Sequence, residues 1–353
     1  MYPKVEIAVD KIRHNTEMLI GKCSKYNIDV AAVTKVFCAI PEVAKAMVDG
    51  GAKILADSRV ENLEKLIDID VPKLLLRLPM ISQAEDVVRV ADMSLNSELE
   101  TIKALSKAAV MGNKKHKIIL MIDLGDLREG IFEKEEIFNT VETIIDLEGI
   151  KLYGIGVNLT CYGGVIPREA NLTKLMITKR ELEERFGINI EVVSGGNSSS
   201  IHLLEDGTMP KGINLLRLGE SLVLGRETAF GDKIKDTYED CFKLRAEIIE
   251  IKEKPSMPIG EIGMDAFGNK PVFEDKGVRK RAICAIGRQD IDPGDVIPDD
   301  TDITILGASS DHFIIDVTDC EDEYKVGDIV SFNLTYGGIL STSTSRYIKK
   351  ELV

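Results

Sequence analysis

The chain has 353 residues, 44% hydrophobic and 29% charged, the balance of a folded globular protein large enough for two cores. Its 59 acidic residues outnumber 45 lysines and arginines, leaving a net charge of −14. That surplus excludes nucleic acid as a partner, because nothing neutralises phosphates, and no apolar run is long enough to span a membrane. Met1–Glu6 does not read as a secretory leader, and six cysteines without a Cys-x-x-Cys pair fit reduced thiols in a cytoplasmic protein. Four scattered histidines lack metal-ligand spacing, so no metal is expected.

In chain order, Val5–Val9 reads as a strand and Asp10–Tyr26 as a helix capped by Asp10. Short apolar runs then alternate with amphipathic stretches. The runs are Ile28–Val33, Lys53–Ala56, Lys73–Leu76, Met93–Leu95, Lys117–Ile122, Lys151–Val157, Ile190–Val193 and Asn214–Leu216. Helical patterns fall between them at Ile40–Asp49, Val60–Ile67, Glu98–Met111, Lys134–Leu147 and Arg168–Phe186. Eight such units predict a (β/α)₈ TIM-type barrel. An open doubly wound sheet would usually carry Gly-x-Gly-x-x-Gly after its first strand, where Lys35-Val-Phe-Cys38 has none.

After Thr237 the pattern changes to Phe242–Ile251, Ala282–Ile286, Asp302–Ile305, Phe313–Val317 and Ile329–Leu334, separated by Pro, Gly and Asp. This predicts a C-terminal all-β domain. The expected division is a barrel over residues 10–235 and a β domain over 236–353, which also takes the strand at 4–9.

The working face of such a barrel is the carboxyl end of its strands. Lys35 closes the first apolar run there, where partial desolvation would lower an amine's pKa and prepare a nucleophile. Arg59, Arg77, Asn96, Arg128, Asn158 and Arg217 follow other strands, a ring with few carboxylates that suits an anionic ligand. Ser194-Gly-Gly-Asn-Ser-Ser-Ser200 after the seventh strand reads as an anion cradle: glycines admit close backbone approach, hydroxyls donate, and the helix at Ile201–Leu204 adds its amides. The alternative is a turn with a capping serine. Arg128 either grips a carboxylate bidentately or pairs with Glu129 or Asp126. Arg217 ends a buried strand, so something must accept from its guanidinium.

Together these segments resemble the alanine racemase-like, fold-type III amino acid racemases, which depend on pyridoxal 5'-phosphate. Ala31–Val36 resembles their lysine-bearing strand, Ile122–Ile131 their Asp-x-Gly-x-x-Arg-x-Gly loop, Gly196–Ser200 their phosphate turn, and Leu216–Gly219 their Arg-x-Gly segment. Gly307–Thr318, Lys325–Asp328 and Tyr336 resemble parts of their β domain, so the likeness runs nearly full length. It implies a Schiff-base and catalytic Lys35, and Arg217 facing the pyridine nitrogen with Asn158 beside it. Asn197, Ser198, Ser199, the Gly219 and Glu220 amides, and Tyr336 would hold phosphate. Arg128, Ser310 and Asp311 would contact substrate, and a homodimer would complete the site at its subunit interface.

The family's opposite-face base, a tyrosine, is missing from Ile259–Gly268, and the tyrosine a few residues after the lysine is also absent, replaced by Phe37-Cys38-Ala39. Asp265 is the expected opposite-face base, its pKa raised beside Phe267, with Glu261, Asp311, His312 and Cys38 as alternatives and a plain turn residue as the other reading. Within the family the likeness implies a basic substrate, ornithine first and lysine, alanine or serine next. An acidic residue such as Asp265, Asp290, Asp311 or Glu261 would meet its ammonium. A lyase or aldolase of the same fold, and a non-catalytic cofactor-binding protein, are the rival expectations.

Overall fold

A computed structural model describes all of residues 1–353, which form two compact units: Val9–Glu239, and Met1–Ala8 together with Asp240–Val353. The chain begins with strand β1 (Lys4–Ile7) of the second unit, then enters the first through helix α1 (Val9–Ser24). Asp10 lies inside the first turn of α1 and pairs with Arg13 at 3.1 Å, so it favours the helix dipole and is not the expected cap.

The first unit continues β2 (Asp29–Val33), α2 (Pro41–Asp49), β3 (Ile54–Asp57), α3 (Val60–Lys65), β4 (Lys73–Leu75), α4 (Ala84–Val90), β5 (Met93–Asn96) and α5 (Leu99–Met111). It then runs β6 (His116–Met121), α6 (Lys134–Ile145), β7 (Ile150–Gly156), α7 (Glu169–Phe186), β8 (Val192–Ser194), α8 (His202–Glu205), β9 (Leu215–Leu218) and α9 (Glu220–Leu224). Strands β2 to β9 pair in parallel and close on one another, giving the eight-stranded barrel. Local chemistry sets the helix limits. Pro41 opens α2, where its missing N–H costs nothing, and Gly187 ends α7 in the left-handed conformation at φ 62°. The helix α4 has only seven residues between its two strands.

The barrel interior is filled by Ala31, Val33, Ala56, Leu74, Met93, Leu95, Ile119, Met121 and Leu215, all buried. Inward apolar layers of this kind make a packed core rather than a channel. Gly154 serves the same closure. A Cβ there would stand 2.5 Å from the Val192 carbonyl oxygen, so the β7–β8 approach admits only hydrogen.

The second unit is an eight-stranded sheet. Its elements are β1, β10 (Phe242–Pro255), β11 (Val278–Cys284), β12 (Val296–Pro298), β13 (Thr304–Ala308), β14 (Phe313–Asp316), β15 (Ile329–Leu334), helix α10 (Tyr336–Thr344) and β16 (Lys349–Leu352). The order β12-β15-β10-β11-β14-β13 is antiparallel throughout, with β1 beside β10 and β16 parallel to β1. The long β10 pairs β15 over Lys243–Glu247 and β11 from Ile248 onward, with an irregularity in the latter pairing between Ile248 and Glu250. Phe313 and Phe332 meet edge-to-face at 5.7 Å in the core of this unit.

This is the expected C-terminal β domain, with one short helix in it. Helix α10 was missed because Gly337-Gly338 and a Ser/Thr run carry low helix propensity; Thr335 secures its start by accepting from the Gly338 N–H. Strands β12 and β16 also escaped the sequence pattern, being three and four residues long. Three cysteines, 23, 241 and 284, are buried, and none of the six forms a disulfide. No helix is long and apolar enough to cross a membrane.

Replacing Leu74 with Ala should lower the free energy of unfolding by about 2–5 kcal/mol, the range for a cavity in a packed core. Urea unfolding would show it, and a loss under about 1 kcal/mol would mean that the barrel layer is not tightly packed.

Candidate active site

The site is built around Arg217, the third residue of β9, which is only 4% exposed. One terminal nitrogen donates to Ser194 Oγ; the other donates to the Val157 carbonyl at 3.0 Å and to Asn158 Oδ1 at 3.4 Å. All three acceptors are neutral. Burial pushes the guanidinium down to about 10, which still leaves it cationic at neutral pH, while Glu129 pulls the other way.

The segment after β8 turns sharply at Gly196, whose φ of +112° suits glycine and whose Cβ would meet Ser200 Oγ at 2.7 Å. Asn197 then caps the 3-10 turn Ser198–Ser200, its Oδ1 accepting from the Ser199 N–H at 2.8 Å. Its amide nitrogen donates to Asn158 Oδ1 at 3.1 Å and to the Leu159 carbonyl at 3.0 Å. Ser198 Oγ accepts from the Ser221 and Gly219 amides at 3.2 and 3.4 Å. Three expected phosphate ligands, the Asn197 and Ser198 side chains and the Gly219 amide, are thus engaged within the chain. Nor does a long helix follow the turn, since α8 has four residues.

Two groups have no such partner. Ser199 Oγ and Asn158 Nδ2 are buried and make no hydrogen bond. An unsatisfied buried polar group costs about 1–3 kcal/mol, so this cradle suits an acceptor from outside the chain.

Lys35 follows β2 and opens a 3-10 turn, Lys35–Phe37. Strand β2 lies beside β9 with Ala31 opposite Arg217, and a Cβ on Gly219 would come within 3.1 Å of Val33 Cβ. The amine is therefore carried on the neighbour of the Arg217 strand, close enough to Glu220 to act on its carboxyl. The expected desolvated rim is not found: Lys35 is exposed, and it makes no hydrogen bond or ion pair. Glu220 opens α9, pairs with Arg226 at 3.2 Å, and has its carboxyl pushed up by burial.

Arg128 is not free for a carboxylate. It holds Glu129 through Nε and through a terminal nitrogen, the latter at 2.6 Å, and this raises its pKa. Asp126 binds no cation and instead accepts from the amides of Thr160, Tyr162 and Val165 at 2.9, 3.1 and 3.2 Å, tying the loop after β7 to the loop after β6. Thr160 is held at φ 75°, a costly conformation for a β-branched residue. The expected scarcity of carboxylates at these strand ends is also incorrect, because Asp57, Asp123, Asp126, Glu129 and Glu220 all lie there. Arg77 donates to Gln83 at 3.3 Å, and Asn96 donates to Ser94 Oγ at 2.8 Å.

In the second unit, Tyr336 is the first residue of α10 and is half-buried; Ser310 and Asp311 are exposed in the β13–β14 turn. Asp265 does not have the raised pKa expected of a base. The Asn269 N–H donates to its Oδ1 at 2.8 Å and the Phe267 N–H at 2.9 Å, and these bonds hold the exposed carboxyl below its usual range. It is a turn-forming residue, and Phe267 packs under Arg288 at 4.9 Å instead of shielding it. Sequence reasoning missed Ser194 as the Arg217 acceptor and Asp57 at the end of β3. The signal for Asp57 was the one that marked Lys35, a charge closing an apolar strand.

A closed parallel barrel with a lysine beyond its first strand, and a β unit after it in sequence, defines the class. The chain belongs to the alanine racemase family: the model of the alanine racemase N-terminal domain matches residues 7–227. It is an amino acid racemase. It is 52% identical to an ornithine racemase of Acetoanaerobium sticklandii over all of both chains. It is 42% identical to a lysine racemase of Thermotoga maritima, over 99% of this chain and 98% of that one. Among solved structures, an alanine racemase of Bartonella henselae with covalently bound pyridoxal phosphate matches with a TM-score of 0.74 and 20% identity over 100% of each chain.

Ser194→Ala should leave the buried guanidinium one acceptor short and destabilise the protein by about 1.5–3 kcal/mol. Chemical denaturation measures this, and an unchanged midpoint would show that Ser194 does not support Arg217.

Proposed function

We propose that this racemase interconverts L- and D-ornithine with pyridoxal 5'-phosphate as its cofactor. Full-length identity of 52% to an ornithine racemase supports the substrate. The observation that carries the cofactor is the pair of unpartnered buried groups, Ser199 Oγ and Asn158 Nδ2, beside a buried guanidinium with neutral acceptors only. A phosphate and a neutral ring nitrogen match that donor set, so the residues present fit the group. Ser199 and the Glu220 amide would hold the phosphate, with the Gly219 amide giving up its bond to Ser198 to join them; Tyr336 is a further phosphate ligand that the family likeness implies. Arg217 would face the ring nitrogen, and Asn158 would stand beside it.

When bound, the cofactor supplies the electron sink that makes the Cα proton acidic. Lys35 holds the cofactor and takes or returns the Cα proton on one face of the substrate. Its side chain makes no hydrogen bond or ion pair within the chain, so no other side chain competes for it. Arg128 steers the substrate carboxylate, and to do so it must give up its bonds to Glu129. Ser310 and Asp311 are the further substrate contacts that the family likeness implies, and an acidic residue such as Asp311 would meet the side-chain ammonium.

The active form is read as a homodimer. Met264, Ile259, Val272 and Phe273, all on the segment between β10 and β11, are exposed apolar residues of the kind a second copy covers. Six cysteines without a disulfide suit a reducing cytoplasm.

Incubation with each L-amino acid in deuterated water, followed by Cα exchange and optical rotation, tests the reading. Ornithine should exchange fastest, lysine should trail by about 10–200-fold, the discrimination available from one methylene, and alanine should trail further. Exchange with alanine alone would overturn the substrate, and none with any amino acid would overturn the activity. Lys35→Ala should lose the yellow colour of the loaded enzyme and at least about 10³-fold in kcat. A K35A protein that still binds cofactor covalently would end the assignment of Lys35.

A further inference from the structure

The turn that carries Lys35 is held at both ends by one buried network. Thr34, immediately before the lysine, donates its N–H to the Ala56 carbonyl at 2.9 Å and its hydroxyl to Asp57 Oδ2 at 2.7 Å. Asp57 ends β3, is 0% exposed, and forms no ion pair. Its other oxygen accepts from the Arg59 N–H and from Asn62 Nδ2, both at 3.0 Å. Asn62 passes the connection on, since its Oδ1 accepts from Lys65 Nζ at 3.0 Å. The same ammonium donates at 2.9 Å to the carbonyl of Cys38, the residue that closes the turn.

Between those anchors the backbone is strained. Cys38 and Ala39 both have φ of 53°, two successive non-glycine residues in the left-handed region, and the Ala39 N–H returns to the Thr34 carbonyl at 3.1 Å. Such a conformation persists only where its surroundings over-determine it. A buried carboxylate whose bonds converge on this turn is what over-determines it.

We propose that Asp57 is a positioning residue which, through Thr34 on one side and Asn62 and Lys65 on the other, clamps the Lys35–Cys38 turn and sets where the Lys35 amine stands for proton transfer. The proposal rests on the reading of Lys35 given above. Asp57 touches no substrate in this role; it acts through the backbone on either side of the lysine. Its burial raises its pKa, and the donors from Thr34, Asn62 and Arg59 work against that rise, as the anchoring role requires of an anion kept in place.

The test uses the full-length loaded enzyme and the variants Thr34→Val, Thr34→Ser and Lys65→Met, each of which leaves the Asp57 carboxyl itself untouched. Hydrogen exchange read by mass spectrometry over residues 34–39 should accelerate about ten-fold or more in T34V and K65M, since a bond to a charged group is lost in each. In the same variants kcat for racemisation should fall about ten- to a hundred-fold, with KM within about two-fold. T34S keeps the hydroxyl and should retain the parent's exchange and kcat. Unchanged exchange in both T34V and K65M, or faster exchange with unchanged kcat, would overturn the proposal, as would a T34S enzyme that fails like T34V. Failure of the Lys35 reading is recognised separately, by covalent cofactor uptake in K35A, which does not depend on the exchange of this segment.

Discussion

Arg217 imposes the constraint on which the rest of the site depends, because a guanidinium taken out of water must be given acceptors or it will not stay buried. The solution here uses neutral oxygens from one neighbouring strand and a loop: Ser194 at the end of β8, and Val157 and Asn158 just beyond β7. Had a carboxylate been placed against it, the pair would be closed and the charge neutralised. With hydroxyl, carbonyl and amide as acceptors, the cation stays uncompensated, and burial moves its pKa down only to about 10. The side chain can then donate to a further acceptor without first breaking an ion pair.

The consequences propagate along hydrogen bonds. Asn158 Oδ1 is shared between Arg217 and Asn197, which fixes the amide orientation and leaves its Nδ2 without a partner inside the chain. Asn197 in turn caps the serine turn, and capping holds the Ser199 N–H while its hydroxyl stays unmatched. Ser198 meanwhile draws in the amides at the start of α9. The residues named by the sequence motif therefore divide into two kinds. Asn197, Ser198 and Ser200 build the cradle, whereas Ser199 and Asn158 present unfilled hydrogen-bonding capacity to a ligand.

The barrel was legible because parallel strands buried on both faces read as unbroken apolar runs, as in His116–Met121 and Asp29–Val33. Lys35, Arg217 and the serine turn were legible for a related reason: each places a polar residue where such a run stops. What stayed hidden was partner choice. Arg128 offered the same fork to substrate, Asp126 and Glu129, and only the fold brings it to Glu129 while Asp126 is consumed by three backbone amides. Asp265 read as a base because Phe267 stands two residues away, yet turn geometry points two amides at its carboxyl and makes it more acidic. Helix α10 was concealed by glycines whose low propensity is offset by a capping threonine.

Acidic residues account for much of the mouth of this barrel, and their partners explain how an anionic ligand can still be received there. Asp57 is consumed by Thr34, Asn62 and the Arg59 amide, Asp126 by the loop after β7, Glu129 by Arg128, and Glu220 by Arg226. Each carboxylate is thus neutralised locally or dissolved in backbone amides, and none is placed on Arg217 or on the Lys35 amine. The net charge of −14 is a property of the whole surface, while the field inside the site is set by which cations are left unpaired. Among those cations are Arg217 on β9 and Lys35 just beyond the neighbouring β2. A doubly charged phosphate can enter such a site because the protein's own anions have already been assigned to holding its loops in place.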